Sequence, residues 1–321
     1  MKKIKWGIIG CGDVTEIKSG PAFNKAENSE LVAVMRRDAA KAEDYARRHG
    51  VPAWYSDAQK LIDDPEVNAV YVATPPSSHE EYTIRALKAG KPVYVEKPMT
   101  TDAASAERML ETSLATGVKL SVAHYRREQP RFKKMKALIE ANEIGAVRMV
   151  NLQCIEPPRF SNMDDFWRVD PAVSGGGMFH DLAPHQMDIM LYLFGKYQQA
   201  SGLSFNRSKL YSADDLVIGN VVFENGVVFN GNWCFTAGDT KDLIEIIGSE
   251  GKISFTIFST HQFMVSKHGK EEVFHFEDLP HVQQPMIEAV VKYFLDEAPN
   301  PSTAENAVDT MRIIDAFTKR Q

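Results

Sequence analysis

The chain has 321 residues, a formal net charge of −6 and a hydrophobic fraction of 44%. This length predicts two domains, and this composition is that of a globular protein with a full core in each. The acidic balance argues against nucleic acid as a main partner. No apolar run reaches the roughly 18 residues that a membrane-spanning helix needs, so no membrane partner is expected.

The cysteines indicate the compartment. Cys11, Cys154 and Cys234 are far apart and form no C-x-x-C pair. A disulfide framework or a structural zinc site is therefore not expected, and a reducing compartment fits. The opening MKKIKWGIIG enters a strand pattern without the long apolar stretch of a signal peptide. We expect a cytoplasmic protein.

Strand-like and helix-like segments alternate through the first third of the chain. Strands are predicted at IKWGIIG, LVAVM (31–35), AVYVAT (69–74), PVYVE (92–96) and VKLSVAH (118–124). Helices are predicted over 38–50, 78–90 and 101–116, with Asp38 as an N-cap and Gly50, Gly90 and Gly117 at the ends. Such alternation is typical of βαβ units. It predicts an α/β domain over residues 1–123 with a doubly wound parallel sheet, which is a Rossmann fold.

The pattern changes after that point. Residues 124–321 are predicted to form an α+β domain with a large open, mainly antiparallel sheet that binds substrate and supports oligomerisation. Helices are expected near 130–140, 282–296 and 303–319. Hairpin turns are expected at 225–226, at 249–251 and near 268–269, and Asn225–Gly226 has the sequence of a type I′ turn.

A glycine loop follows the first strand. Gly10 and Gly12 permit a tight turn and close approach to a pyrophosphate, so Gly10, Gly12, Asp13 and Val14 are predicted to bind a dinucleotide. Thr15 stands where the fingerprint has its third glycine, which weakens the motif. A simple β-turn is the alternative.

The end of the second strand indicates which dinucleotide is bound. Arg36 and Arg37 follow this strand, and no carboxylate stands at its tip. A guanidinium group can pair with a 2′-phosphate, so NADP(H) is the favoured cofactor. NAD(H) stays possible if Asp38, two residues on, turns back to the ribose.

Two later strand ends carry polar residues to the same edge of the sheet. Thr74 and Pro75 end one strand at the carboxyl edge, where open α/β sheets bind ligands. His79 either reaches the cofactor or only begins a helix. Lys97 follows the next strand, and Pro98 favours an extended backbone that directs Lys97 into the crevice. A solvated strand tip is the alternative.

A second constellation lies at 174–188. Three glycines precede an amphipathic helix, which predicts available N–H groups and close backbone approach. Asp181 and His185 are one turn apart on one face, so the carboxylate can orient the imidazole for acid–base chemistry. A purely structural pair, or a metal site with His180 and Asp188, are the alternatives. The H-E-x-x-H form is missing, and no metal is predicted.

Five motifs resemble the glucose–fructose oxidoreductase, inositol 2-dehydrogenase and rhizopine-catabolism family (Gfo/Idh/MocA). They occur in family order: the glycine loop at 10–15, ATPPSSH at 73–79, EKP at 96–98, FWRVDPAVSGGG at 166–177 and DLAPHQMD at 181–188. The resemblance implies that Lys97 contacts substrate and cofactor, with Asp181 and His185 as its catalytic partners.

The resemblance also implies other ligand contacts. Glu96, Trp167 and Arg168 are expected at the cofactor, although Arg168 could instead form a structural salt bridge. Arg126 is expected at the substrate. His180 departs from the apolar residue common in the family, and it either touches substrate or is buried. The pocket-lining candidates lean polar, which suits a sugar: Arg126, Glu156, Arg159 and His180.

The implied function is hydride transfer between nicotinamide and a carbinol or carbonyl carbon of a sugar, polyol or cyclitol. It requires Lys97 and His185 to meet over the nicotinamide ring. A dihydrodiol or dicarbonyl reductase is the alternative enzyme. A dinucleotide-sensing regulator without catalysis is the alternative from another class, and it should lack the lysine or the histidine. The family also implies a homodimer or homotetramer.

Overall fold

A computed structural model describes residues 2–158 and 167–318. It contains two compact units. The first takes in the chain up to Gln129 together with Leu279–Val308, and the second takes in Pro130–Asp278 together with the chain from Asp309 onward. The segment Leu279–Val308, which sequence analysis assigned to the second domain, therefore lies in the first unit.

The sheet of the first unit has six parallel strands in the order β3-β2-β1-β4-β5-β6. The predicted Rossmann fold is confirmed. The order reverses between β1 and β4, which is the switch point where such sheets bind ligands. Strands β4, β5 and β6 are buried along their length, as a sheet covered on both faces requires. The strands are β1 Ile4–Ile9, β2 Ser29–Met35, β3 Ala53–Tyr55, β4 Ala69–Val72, β5 Val93–Val95 and β6 Leu120–Val122.

Helix α2 begins and ends at its predicted signals. Asp38 caps α2 by accepting from Lys41 N at 3.1 Å, and Gly50 ends it at φ 66°. Helix α5 ends at the predicted Gly117, and it begins after Asp102, which accepts from Ser105 N at 2.9 Å and was not predicted as a cap. A short strand, β3, and a short helix, α3, lie between α2 and β4 and were not predicted. The helices of this unit that precede β6 are α1 Asp13–Glu16, α2 Ala39–His49, α3 Ala58–Asp63, α4 His79–Lys88 and α5 Ala103–Thr116.

Helix α9 (Gln284–Phe294) joins the first unit through its apolar face. Met286, Val290 and Phe294 are buried in the same cluster as Trp6 and Phe23 from the start of the chain. Burying this face removes several large side chains from water. A chain returning from the far end of the sequence thus completes the core around the parallel sheet.

The second unit is built on an eight-stranded sheet in the order β14-β13-β12-β11-β7-β10-β9-β8. Its pairs are antiparallel except for β7 with β10, so the prediction of a mainly antiparallel sheet is confirmed. The strands are β7 Val147–Ile155, β8 Tyr197–Phe205, β9 Leu216–Phe223, β10 Val228–Cys234, β11 Lys241–Gly248, β12 Gly251–Phe255, β13 Gln262–Lys267 and β14 Lys270–His275.

The hairpin at Asn225–Gly226 is in the predicted place, but its predicted turn type is wrong. Gly226 has φ 84°, whereas Asn225 is not among the residues with positive φ, and a type I′ turn needs both. Gly226 N instead donates to Phe223 O at 2.9 Å, which closes a longer turn followed by a glycine bulge. The two positive φ values of a type I′ turn occur at His268 (50°) and Gly269 (76°).

The core of the second unit packs one helix against the sheet. Phe179 of α8 stands edge-on to Trp233 of β10, with ring centroids 5.0 Å apart. Trp233 Nε1 donates to Gln186 Oε1 at 2.7 Å, which satisfies the buried indole. The remaining helices are α6 Pro130–Glu140, α7 Pro171–Ser174, α8 Met178–Phe194 and α10 Ala304–Thr318. Within residues 2–158 and 167–318, no helix has the length and apolar character to span a bilayer.

Candidate active site

The glycine loop after β1 is shaped by the neighbouring strand ends. Gly10 has φ 97°, and a Cβ there would lie 2.7 Å from Thr74 Cγ2, so no other residue fits without displacing the loop after β4. Gly10 N donates to Met35 O at 2.9 Å, which joins the ends of β1 and β2. Around Gly12 the nearest atom to an added Cβ would be 4.0 Å away. This side of the loop has the open backbone that a pyrophosphate requires.

Thr15 fills the place of the missing third glycine. Its Oγ1 donates to Gly12 O at 2.7 Å, and its carbonyl accepts from Tyr45 Oη at 2.8 Å. Gly20 packs so closely on the Thr15 carbonyl that a Cβ at Gly20 would collide with it. The tight packing that the fingerprint obtains from a third glycine is therefore supplied here by Gly20. Asp13 is exposed and Val14 half-buried beside this loop.

The residues after β2 have separate roles. Arg36 Nη1 lies 3.4 Å from Cys11 O, so its guanidinium stands against the glycine loop, and Arg37 is exposed beside it. The Asp38 carboxylate accepts from Lys41 N as the cap of α2. Burial raises the pKa of the Cys11 thiol to about 11, with Arg36 acting in the opposite direction. Cys11 is therefore a protonated thiol at neutral pH.

His79 joins the loops after β4 and β5. It is the first residue of α4 and is 1% exposed. Its Nε2 lies 2.7 Å from Thr74 O and its Nδ1 lies 3.0 Å from Pro98 O. Burial lowers the pKa of His79, while the two carbonyls and Glu96 act to raise it. Its helix-start position is as predicted. Both ring nitrogens lie within hydrogen-bond distance of a backbone carbonyl, and the neutral ring has one N–H to donate to one of them.

Lys97 stands at the end of β5 beside a buried carboxylate. Glu96 is 6% exposed, and its Oε1 accepts from Tyr71 Oη at 2.5 Å. Its Oε2 accepts from the Lys97 backbone N–H at 3.1 Å. Burial and the charge of Glu96 raise the pKa of Tyr71 well above its usual value, so this phenol stays protonated and donates. The Lys97–Pro98 peptide is cis.

Gln283 completes this network and was missed by sequence reasoning. It is fully buried, and its Nε2 donates to Glu96 Oε1 at 2.5 Å. Its Oε1 accepts from Tyr94 Oη at 3.2 Å. A glutamine before a helix carries no local signal of this role. Only its return to the first unit beside α9 brings it to Glu96.

Arg126 lies in the short turn after β6. Its guanidinium carbon is 5.4 Å from the centroid of the Tyr125 ring, and the side chain is half-buried. Because β6 is parallel to β4 and β5, Arg126 lies at the same carboxyl edge of the sheet as Thr74 and Lys97. Its predicted contact with substrate stays a prediction.

In the second unit, the glycine run before α8 packs against the protein itself. The predicted available N–H groups are occupied: Ser174 Oγ accepts from Gly176 N at 3.3 Å and from Gly177 N at 2.8 Å. A Cβ at Gly176 would collide with the His180 ring, and one at Gly177 with Ala213. The close approach that these glycines permit is thus internal to this unit.

Helix α8 carries Asp181 and His185 one turn apart, as the spacing predicted. The Asp181 carboxylate has Arg168 as an ion-pair partner, with Nε 3.4 Å from Oδ2. The Arg168 guanidinium also stacks 4.6 Å from the Trp167 ring. His185 is 5% exposed, and its ring lies edge-on to Phe258 with centroids 5.8 Å apart. Proton transfer by His185 and its orientation by Asp181 stay predictions.

His180 is buried one turn before Pro184, at 4% exposed. Burial lowers its pKa to about 4, although Asp315 and Asp214 act to raise it. Its ring stands edge-on to Phe179 with centroids 5.8 Å apart. The imidazole is therefore neutral at pH 7 and fixed by packing.

Comparison with known proteins decides the family. The model of the Gfo/Idh/MocA oxidoreductase family with an NAD-binding Rossmann fold matches residues 4–124, and the model of the family's C-terminal domain matches residues 132–254. The chain belongs to the Gfo/Idh/MocA family. Members of this family include a Formosa agariphila protein named oxidoreductase P35, which is 47% identical over 98% of each chain.

One further relative and one solved structure are similar to this Gfo/Idh/MocA chain. A myo-inositol 2-dehydrogenase from Thermotoga maritima is 30% identical, covering 77% of this chain and 73% of its own. The solved aldose–aldose oxidoreductase of Caulobacter crescentus is 23% identical with a TM-score of 0.85, covering 98% of this chain and 96% of its own. The resemblance inferred from the motifs is confirmed, and the protein is an NAD(P)-dependent oxidoreductase.

One predicted pocket-lining residue and one motif residue lie outside the described part of this family member. Arg159 and Phe166 fall there, so the lining role of Arg159 stays a prediction. Glu156, at the end of the described segment, is half-buried. Among residues 2–158 and 167–318, no three His, Cys, Asp or Glu side chains are grouped so as to hold a metal ion.

Proposed function

We propose that this protein is an NADP(H)-dependent oxidoreductase that acts on a carbinol or carbonyl carbon of a sugar, polyol or cyclitol. The observation that carries the proposal is the hydrogen-bonded turn around Lys97. The Glu96 carboxylate accepts from the Lys97 backbone N–H on one side, and His79 Nδ1 lies 3.0 Å from the Pro98 carbonyl oxygen on the other. A side chain that must meet a reacting oxygen needs this degree of order.

The residues of the first unit fit a dinucleotide. Gly10 and Gly12 provide a loop with open backbone, and Arg36 stands against that loop. The preference for NADP(H) over NAD(H) is supported by Asp38, whose carboxylate is engaged as a helix cap. Arg36 and Arg37 would pair with the 2′-phosphate. Thr74, Pro75 and His79 would border the nicotinamide end.

In the proposed mechanism, one side chain transfers the proton and another stabilises the developing negative charge. When bound, the nicotinamide supplies or accepts the hydride. Lys97 hydrogen-bonds the reacting oxygen and stabilises its developing negative charge. His185 accepts the hydroxyl proton during oxidation and returns it during reduction. Asp181 favours the charged imidazolium, and Arg168 holds the Asp181 carboxylate. Arg126 would contact the substrate, whereas His180 is buried and would support the site by packing.

We further propose that the protein is a homodimer or homotetramer formed through the sheet of the second unit. Leu203 of β8 and Ile218 of β9 are cross-strand neighbours and are 62% and 40% exposed, and Phe205 is 40% exposed. Exposed apolar side chains grouped on one sheet face are typical of a protein interface.

A reducing cytoplasm suits Cys11, Cys154 and Cys234, which are thiols.

Cofactor titration followed by a substrate panel tests the function. Fluorescence titration should give a lower Kd for NADPH than for NADH. Turnover should then be found among aldoses, ketoses and cyclitols rather than with a dicarbonyl or a trans-dihydrodiol. Tight dinucleotide binding with no turnover of any panel member would favour the regulator. Turnover only of the dicarbonyl or the dihydrodiol would favour the alternative enzyme.

A further inference from the structure

The loop 256–260 between β12 and β13 is held by a buried arginine. Arg131, on α6, is 4% exposed. Its Nη2 donates to Ile257 O at 2.7 Å, and its Nη1 donates to the carbonyls of Thr256, at 3.2 Å, and Thr260. A single guanidinium therefore holds three carbonyls of one short loop.

A carboxylate holds the N–H groups of the same loop. Asp242, on β11, accepts from Ile257 N at 3.2 Å and from Phe258 N at 2.7 Å. It also accepts from Ser259 N at 3.2 Å and from Ser259 Oγ at 3.1 Å. The Arg131 guanidinium therefore binds the carbonyl groups of the loop, and the Asp242 carboxylate binds its N–H groups. A connection between two hairpin strands needs no such order, since hairpin loops are commonly closed by turn residues alone.

The ordered loop carries Phe258 against His185. The ring centroids are 5.8 Å apart and the planes meet at 71°, an edge-to-face arrangement of the kind that aromatic pairs prefer. His185 is 5% exposed, so packed side chains surround its ring. All these residues belong to the second unit.

We propose that Phe258 is a positioning residue for His185, held in place by Arg131 and Asp242. Phe258 restricts rotation of the imidazole, so that the nitrogen that exchanges the proton keeps one direction. The inference rests on the proposed function, in which His185 moves the proton. A misdirected catalytic group lowers turnover with little effect on substrate binding.

Kinetics and NMR of matched variants test this inference. Phe258→Leu removes the ring, Phe258→Tyr keeps it, and Asp242→Ala leaves residue 258 a phenylalanine but loosens the loop that carries it. Phe274→Leu is the control, because Phe274 is also half-buried in this unit but stacks on Phe263. Histidines labelled at 13Cε1 report the His185 ring, and the His185→Asn spectrum assigns its signal among the nine histidines.

Phe258→Leu and Asp242→Ala should lower kcat about tenfold with the sugar KM within about twofold, and should shift or broaden the His185 signal. Phe258→Tyr should match the wild type. Wild-type kcat and an unchanged His185 signal in Phe258→Leu would overturn the inference, as would an equal change in Phe274→Leu. If the wild type turns over no substrate, the proposed function fails, while the His185 signal still decides the positioning role. If Phe258→Leu does not fold, Asp242→Ala decides it.

Discussion

Gln283 donates a 2.5 Å hydrogen bond to Glu96, a residue 187 positions earlier in the chain. The same carboxylate oxygen accepts from Tyr71, and the other oxygen accepts from the Lys97 backbone. The turn that carries the proposed catalytic lysine is thus held by a residue that enters from the far end of the sequence.

Removing this donor should weaken both the fold and the catalytic turn. Gln283→Leu leaves a buried carboxylate with one donor fewer, which costs about 1–3 kcal/mol. Urea unfolding should show this loss, and kcat should fall because the backbone of Lys97 is less fixed. Gln284→Leu is the control, since Gln284 bonds Glu288 on a helix surface at 2.9 Å and should change stability by less than about 0.5 kcal/mol. Equal stability of the two variants would contradict the role of Gln283.

Lys97→Ala should lower kcat by ~10²–10³-fold, the contribution of one donor to the developing negative charge. Its free energy of unfolding should stay within about 0.5 kcal/mol of the wild type, because the side chain is half-buried at a strand end. Steady-state kinetics with the preferred cofactor measure the effect. Lys88→Ala, at an exposed position on α4, should behave as the wild type. Near-normal turnover by Lys97→Ala would remove this lysine from the chemistry.

The arginines after β2 should determine cofactor preference. Charge-assisted hydrogen bonds contribute about 1.5–3 kcal/mol, so Arg36→Ala with Arg37→Ala should raise the Kd for NADPH by about tenfold or more. The Kd for NADH should change by less than about threefold. Arg47→Ala, on the exposed side of α2, is the matched control. An unchanged Kd for NADPH in the double variant would favour NAD(H) and a role for Asp38.

His180 should make stability depend on pH. Burial lowers its pKa from an ordinary 6.5 to about 4. As pH falls through that interval the unfolded chain takes up a proton that the folded chain excludes, so stability declines. The full effect is at most about 3 kcal/mol. Urea unfolding at pH 7 and pH 4.5 should show a smaller decline in His180→Gln than in the wild type. His275→Gln, at an exposed site, should keep the wild-type decline.

The outward face of β8 and β9 should control assembly. Leu203→Glu places a charge among exposed apolar side chains and should convert an oligomer to monomers, measured as molar mass by light scattering after size exclusion. Leu114→Glu is the control, because Leu114 is 68% exposed on α5 in the first unit. A monomeric wild type, or an oligomer unaffected by Leu203→Glu, would contradict the proposed interface.

Helix caps and the alternation of strands with helices, which depend on neighbouring residues, were predicted correctly from the sequence. Asp38 and Gly50 bound α2 because a cap needs only a side chain or a positive φ at one position. The alternation of strands and helices predicted the parallel sheet, and parallel strands bring Gly10, Thr74 and Lys97 to one edge. This edge is the part of the candidate site that could be predicted from the sequence.

Contacts between distant segments were decided by tertiary structure alone. Nothing near Gln283 or Phe258 in the sequence indicates Glu96 or His185 as a neighbour. The glycine run was expected to leave N–H groups available, but Gly176 N donates to Ser174 and its Cα packs against the His180 ring. Asn225–Gly226 has a type I′ sequence, yet the strand register around it selected another turn. Backbone preferences are set within a few residues of chain, whereas the partner of a buried polar group is whichever distant segment the packed core brings to it.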